Sequence, residues 1–422
     1  MLVLLGTVIT LAGFLMMYAL CLDATRNARI VALVGFIAAL GNYGFLRPQT
    51  YSFLLFAAFY LVLEPYRQHR RDWLWLLPVL MVLWVNLHGA FVMGLGLIAI
   101  YLVGEGCRRV LNPSRTDALS WVEIRKVFVV LILCVLATLL NPEGTGIFDY
   151  VRTVVTDAGS QQLVAEWQPP SVTDFLGFLL FYCPFFLALL TFIYARVKPD
   201  LTEVLLFFGF ALAGLMSIRN GAWFSTITYP LLARYIPLVD LGGLMPLRRY
   251  KVINQLFEPA PRLSEKESPV YSKINFVMLA AAVVVLVTQS PWVRPALTNA
   301  SLVAEQTPVG AAAFISEKGL TGRIFHPQIF GDYLIWRLWP QQRSFIDGRV
   351  HLFNVDFLKE YKKAIEDPLS TDVIERWNIQ YVLLSKLPGD ESGKALKSVE
   401  DSGAWTRIYE DRISVLYEKR SR

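Results

Sequence analysis

The chain has few of the residues that build metal sites or disulfide frameworks. Its four cysteines show no CxxC spacing, and its four histidines form no HxxxH or HExxH pattern. Closely spaced Cys and His residues are the usual signature of protein-built zinc sites and disulfide scaffolds. The sequence therefore predicts no zinc site, and it predicts that the cysteines pack as small apolar side chains.

Charge and nucleotide-binding motifs are also scarce. Only 18% of the residues are charged, the net charge is +6, and residues 291–422 hold 18 Lys and Arg against 17 Asp and Glu. Neither GxGxxG nor GxxxxGK[ST] occurs in the sequence. We therefore expect no nucleic-acid partner and no bound nucleotide.

Apolar residues, by contrast, make up 55% of the chain. They concentrate in windows at Leu2–Leu22, Ile30–Leu46, Thr50–Leu63, Trp73–Leu87, Ala90–Val103, Val127–Leu140, Phe175–Ala195, Leu201–Ser217, Ala222–Leu238 and Phe276–Ser290. Lys and Arg are concentrated in alternate connections between these windows, which is the pattern of cytoplasmic loops. This pattern predicts an α-helical polytopic membrane domain of about ten transmembrane helices over residues 1–290, placed in the inner (cytoplasmic) membrane. Its long outer loop would cover residues 141–174, and a cytoplasmic loop would cover residues 239–273.

The last part of the chain, residues 291–422, has the pattern of a small α/β domain outside the cytoplasm. Strands are predicted at Arg323–Phe325, Ser344–Ile346, Tyr381–Leu384, Trp405–Glu410 and Ser414–Tyr417. Helices are predicted at Pro308–Lys318, Phe330–Leu338, Asp356–Glu366 and Thr371–Trp377. Alternating strands and helices favour a mostly parallel sheet, here with a terminal hairpin turning at Asp411-Arg412.

A succession of short motifs carries a resemblance. The motifs are Leu46-Arg47-Pro48-Gln49, Leu83-Trp84-Val85-Asn86-Leu87-His88-Gly89, Glu166-Trp167-Gln168-Pro169, Arg219-Asn220, Gly331-Asp332-Tyr333-Leu334-Ile335 and Phe345-Ile346-Asp347-Gly348-Arg349. In this order they resemble a family of bacterial membrane proteins that are similar to GT-C glycosyltransferases. The resemblance implies transfer of a sugar from a polyprenyl-phosphate donor to a glycan or protein acceptor at the outer face of the membrane. GT-C enzymes carry an acidic motif in the first outward loop, and we expect that loop to lie before Met1.

Glycosyl transfer needs a base for the acceptor hydroxyl and a cation for the departing phosphate. Glu166 and His88 are the catalytic candidates, because both lie in predicted outer loops. Arg47, Asn86, Arg219 and Asn220 are candidates for substrate binding near the lipid phosphate, since arginine matches phosphate geometry. A divalent cation, Mg²⁺ or Mn²⁺, is the alternative to arginine.

In the α/β domain, Asp347 and Arg349 flank Gly348 after a predicted strand. A substrate-positioning site at the sheet edge is one interpretation, and a buried ion pair that shapes a turn is the other. Asp332 is expected at the start of a helix, as a cap or first-turn charge.

Two other classes of function remain open. One is a non-catalytic membrane scaffold or assembly protein with a degenerate transferase fold. The other is a lipid or solute transporter. Ion-coupled carriers generally bury ionisable residues mid-membrane, whereas Glu203 and Arg234 are expected near helix ends that reach water.

Overall fold

The computed structural model describes residues 48–69, 71–157, 167–239, 306–366, 371–387, 390 and 392–420, together with residues 8, 12, 13 and 15–21. The chain divides into two compact units. Unit 1 is formed by Met1–Arg152 and Ala165–Val293, and unit 2 by Thr153–Val164 and Arg294–Arg422.

Helices form the described part of unit 1. They are α1 (Pro48–Arg67), α2 (Leu76–Val85), α3 (Phe91–Leu111), α4 (Trp121–Ala137), α5 (Gly146–Thr156), α6 (Phe175–Gly177), α7 (Cys183–Tyr194), α8 (Leu201–Met216) and α9 (Gly221–Tyr235). Residues 153–156 of α5 belong to unit 2. A π-helical turn, Phe178–Tyr182, joins α6 to α7, and 3₁₀ turns lie at Ile218–Asn220 and Ile236–Leu238.

Two of these helices begin at complete capping boxes. Ser120 and Glu123 exchange side-chain and backbone hydrogen bonds at the start of α4, and Asp200 and Glu203 do the same at the start of α8. Each box satisfies backbone N–H groups that have no partner within the helix. The polar residues therefore define where two long apolar runs become helical.

The core of unit 1 is built around α9, which is buried along its length apart from Arg234. Large side chains from α1 and α2 fill the adjoining space, and Phe56, Phe59 and Trp84 are fully buried. α3 and α8 approach so closely that a Cβ at Gly104 would lie 2.6 Å from Thr202 Oγ1. Only glycine leaves room for that contact.

Unit 2 combines helices with a four-stranded sheet of order β1-β2-β4-β3. Its elements are α10 (Val309–Glu317), β1 (Arg323–Phe325), α11 (Gln328–Leu338), α12 (Val355–Glu366), α13 (Thr371–Arg376), β2 (Ile379–Ser385), α14 (Gly393–Asp401), β3 (Trp405–Glu410) and β4 (Ser414–Lys419). β1 and β2 are parallel, whereas β2–β4 and β4–β3 are antiparallel. Buried side chains from β2, including Val382 and Leu384, pack on one face, and Leu383 packs on the other.

The prediction of about ten transmembrane helices is wrong. Among the described residues, α3 is the one helix long and apolar enough to cross a membrane, by length and composition alone. The windows Leu2–Leu22, Ile30–Leu46 and Phe276–Ser290 lie wholly or largely outside the described residues.

Helix length and packing explain the difference. α2 has 10 residues, about 15 Å of helix against a hydrocarbon layer of about 30 Å. The Phe175–Ala195 window is divided by its π turn, and the end of α1 carries the buried charges Glu64 and Arg67. Many of the apolar side chains instead pack against one another.

In unit 2, the prediction of a mostly parallel sheet is also wrong, because one of three strand pairs is parallel. Ser344–Ile346 is not a strand, since the backbone N–H of Phe345 donates to His326 Nε2 at 3.0 Å. The remaining strand segments and the four predicted helices are confirmed to within a few residues at their ends. The hairpin turn at Asp411 is confirmed by the Asp411 N–H donating to the Ser414 carbonyl, at 2.9 Å.

Candidate anion-binding site

The turn between α2 and α3, residues 86–90, carries the most polar of the motifs found in the sequence. Asn86 ends α2, and its side-chain amide donates to the carbonyls of Val82 and Leu140, each at 2.8 Å. These bonds hold the turn against the end of α4. A Cβ built on Gly89 would lie 3.4 Å from Cε1 of the Tyr150 ring. The Asn86 amide nitrogen therefore shapes the turn, and its predicted contact with substrate remains a prediction.

His88 connects this turn to α1 and α2. Ser52 Oγ lies 2.8 Å from His88 Nδ1, and Trp84 Nε1–H donates to Ser52 Oγ, also at 2.8 Å. A serine hydroxyl that accepts one bond still has its hydrogen to donate, and His88 Nδ1 lies within reach of it. The backbone N–H of Ala90 also points to Nδ1, at 3.4 Å. This network assigns the imidazole hydrogen to Nε2.

Arg219 provides the positive charge. Its guanidinium lies over the ring of Trp167, with 4.5 Å between the guanidinium carbon and the ring centroid. The backbone holds this pair, because Ile218 N–H donates to the Gln168 carbonyl at 2.9 Å. Asn220 donates to the Ala213 carbonyl at 3.0 Å and thus ties the 3₁₀ turn to α8. Stacking on an aromatic face is a favourable position for a cation.

The electrostatics of the site keep His88 neutral. Burial and, to a smaller extent, the positive charge of Arg219 together lower the pKa of His88 to about 4. A histidine with this pKa is a poor general base at neutral pH. With Nδ1 accepting and Nε2 protonated, His88 is suited to donate a hydrogen bond as a neutral group, and its catalytic role remains a prediction.

The first turn of α1 adds two polar atoms with unmet hydrogen bonding. Within the described part of the chain, Gln49 Oε1 and Thr50 Oγ1 are buried and have no hydrogen-bond partner. Gln49 lies one helical turn before Ser52 and on the same face. Buried polar atoms normally have partners, so these two oxygens are available to accept hydrogen bonds.

Two predicted site residues fall outside the described residues. Arg47 directly precedes α1, and Glu166 directly precedes Trp167. Their roles remain predictions.

The motifs of unit 2 meet one another. The Asp332 carboxylate accepts the Gly348 N–H at 3.0 Å, and it lies inside α11 and not at the helix start. A Cβ on Gly331 would collide with the Ile346 carbonyl and lie 2.9 Å from the Cα of Asp347. The two segments therefore depend on glycine for their contact.

Asp347 is buried and accepts two bonds from the Arg349 side chain, both at 2.9 Å. Burial alone would raise the pKa of Asp347, but the hydrogen bonds and charge of Arg349 hold it below its ordinary value. This arrangement favours the ion-pair interpretation of the pair. A role in positioning substrate remains untested.

No group of three or more His, Cys, Asp or Glu side chains that could hold a metal ion occurs in the parts of the chain the structure describes. Ser52 and Trp84 were not singled out from the sequence. Ser52 lies 36 residues from His88, and no local spacing connects them.

Neither a protein-family model nor a curated protein matches this chain.

Proposed function

We propose that the chain transfers a sugar from a polyprenyl-phosphate donor to a hydroxyl acceptor, with the donor phosphate held by Arg219 and His88. The observation that carries the proposal is the pairing of a stacked arginine with a histidine kept neutral and protonated on Nε2. Charge-assisted hydrogen bonds from arginine suit phosphate oxygens, and a neutral N–H donor adds a second contact. Gln49 and Thr50 can bond the sugar or the phosphate.

The position of His88 also supports a lipid donor. α3 begins three residues after His88 and is the candidate membrane-spanning helix. Its 21 residues correspond to about 31 Å, close to the hydrocarbon thickness. A phosphate at the α3 N-terminus would meet the positive end of the helix dipole at headgroup level.

In the proposed reaction, the acceptor oxygen attacks C1 of the sugar as the bond between C1 and the phosphate oxygen breaks. Glu166 takes the acceptor proton, and the lipid phosphate leaves as an anion stabilised by Arg219 and His88. The proposed location is the cytoplasmic membrane, with unit 2 outside the cytoplasm. Exposed apolar side chains along one face of α4, at Phe128, Ile132 and Leu136, suit contact with lipid.

The test measures binding of undecaprenyl phosphate to the detergent-solubilised full chain, with undecaprenol as the phosphate-free comparison. Arg219→Ala should weaken binding of the phosphate by about 10- to 100-fold, since hydrogen bonds to charged groups contribute about 1.5–3 kcal/mol. Lys198→Ala is the matched control. It removes one positive charge at the far end of α8, about 24 Å away along that helix.

A transfer assay with a radiolabelled lipid-phosphate sugar then separates the two main hypotheses. Glu166→Gln should abolish transfer while undecaprenyl phosphate still binds. If the wild-type chain binds undecaprenyl phosphate no more tightly than undecaprenol, the proposal is wrong. Binding without any transfer would instead favour the non-catalytic scaffold.

A further inference from the structure

An ionic cluster lies in unit 1 among the ends of its helices, and it is largely buried apart from the exposed Asp117. It comprises three arginines and five carboxylates, Arg67, Arg108, Arg234, Glu64, Glu105, Asp117, Asp200 and Glu203. The expectation that Glu203 and Arg234 reach water is wrong for Glu203, which is 2% exposed. The proposed chemistry at His88 uses none of these residues.

Arg234 is the member that connects helices. Its guanidinium binds Glu64 of α1 at 2.9 Å and also binds Glu203 of α8. The Tyr235 hydroxyl donates to the other oxygen of Glu203. The end of α9 is therefore bonded to two helices at once.

Each carboxylate that Arg234 contacts has further partners. Arg67 binds Glu64 at 2.8 Å and Asp200 at 2.5 Å, and the Tyr101 hydroxyl donates to Glu64 at 2.7 Å. Both oxygens of Glu64 are thus bonded. Such a network has one well-satisfied arrangement, and a shift of one helix breaks several charged bonds.

The same two helices carry the anion-binding site at their other ends. Phe56 of α1 and Trp223 of α9 lie 5.1 Å apart between ring centroids, and Glu64 meets Arg234 further along both helices. α1 and α9 therefore run in the same direction. Ser52 precedes Phe56 and Arg219 precedes Trp223, so the site and the cluster lie about 20 Å apart along this pair.

Most of the surface that α9 buries is apolar, so Arg234 and Tyr235 add directional bonds at its end. Buried ion pairs contribute little net stability after desolvation, but they discriminate strongly between arrangements. The cluster is therefore better suited to fixing register than to adding stability.

We propose that Arg234, bonded to Glu64 and Glu203, is a positioning residue that fixes the register of α9 against α1 and so sets the separation of Arg219 from His88. The effect of this register on phosphate binding rests on the proposed function. The register itself is measurable without any lipid or reaction.

The test follows the titration of His88 by NMR of histidine-labelled full chain, with the signal assigned from His88→Gln. In Arg234→Met the guanidinium of Arg219 should move away, and the pKa of His88 should rise by about one unit. Arg234→Lys keeps the cation and should restore most of the wild-type titration. Tyr235→Phe removes one bond to Glu203 and should raise the pKa of His88 by a smaller amount. This variant provides the test if Arg234→Met does not fold.

Val127→Ala is the control for lost stability, since it opens a small cavity in α4 without touching the cluster. It should leave the titration of His88 unchanged. If Arg234→Met and Tyr235→Phe unfold more easily while His88 titrates as in wild type, the cluster is structural only and the inference is wrong. Undecaprenyl phosphate binding is measured separately, so its absence overturns the proposed function alone.

Discussion

The contact between α3 and α8 gives a sharp prediction for Gly104. A Cβ at this position would lie 2.6 Å from Thr202 Oγ1 and 2.8 Å from the Cα of Thr202. The second atom is backbone, so a rotamer change cannot relieve the overlap. Gly104→Ala should therefore push the two helices apart.

The magnitude follows from three contributions. Alanine favours a helix interior over glycine by about 1 kcal/mol, which opposes the overlap. Overpacking typically costs about 1–3 kcal/mol. Separation also weakens the bond from Thr202 Oγ1 to Glu105 Oε1, now 2.7 Å, and bonds to charged groups contribute about 1.5–3 kcal/mol. We expect Gly104→Ala to lower the free energy of unfolding by about 1.5–5 kcal/mol.

The matched control is Gly106→Ala in the same helix, where a Cβ would meet no atom within 4 Å. It should raise the free energy of unfolding by about 1 kcal/mol. Denaturant unfolding of the solubilised full chain, followed by near-ultraviolet circular dichroism, measures both variants. Equal midpoints for Gly104→Ala and Gly106→Ala would refute the close approach of α3 and α8.

Three further predictions concern the two units separately. His326 is buried, and burial is the main reason that its pKa is lowered from 6.5 to about 4. Its contribution to stability is therefore complete above pH 6.5 and is lost as the pH falls from 6.5 to 4. The loss amounts to about 3 kcal/mol, and His326→Gln should flatten the unfolding free energy across that pH range. Gly331→Ala should destabilise unit 2 by about 3 kcal/mol, because the new Cβ would overlap backbone atoms. Gly393→Ala is the control and should not destabilise it, because a Cβ there meets no atom within 4 Å. Thermal unfolding of the two variants measures the difference. Ser52→Ala leaves the Trp84 N–H buried without its acceptor and should cost about 1–3 kcal/mol in denaturant unfolding, and an unchanged midpoint would contradict the network.

Local patterns in the sequence predicted helices and strands better than they predicted environment. The apolar period of residues 355–366 identifies α12, because this helix exposes one face and buries the other. The segment at Ser344 has a strand-like composition, yet a histidine side chain from elsewhere takes its backbone N–H. Such a contact has no local signature.

The candidate site was predictable only in part. The motifs around His88 and Arg219 were identified, but their shared location depends on α1 and α9 being parallel neighbours. The role of His88 depends on Ser52, whose position in the sequence gives no indication of the contact. The ionic cluster left one local signal, the spacing Glu-x-x-Arg at Glu64–Arg67 and again at Glu105–Arg108, which forms bonded pairs in both helices.

The sheet of unit 2 joins three strands that are near one another in the sequence to a fourth strand, β1, that is far from them. β2, β4 and β3 all come from residues 379–419, whereas Arg323 of β1 pairs with Ile379. Closing the longer loop costs more chain entropy before any contact repays it. We therefore expect the segment with α10, β1 and α11 to add to an edge that residues 379–419 form first. During synthesis, that order would leave β1 unpaired until β2, β3 and β4 have been made.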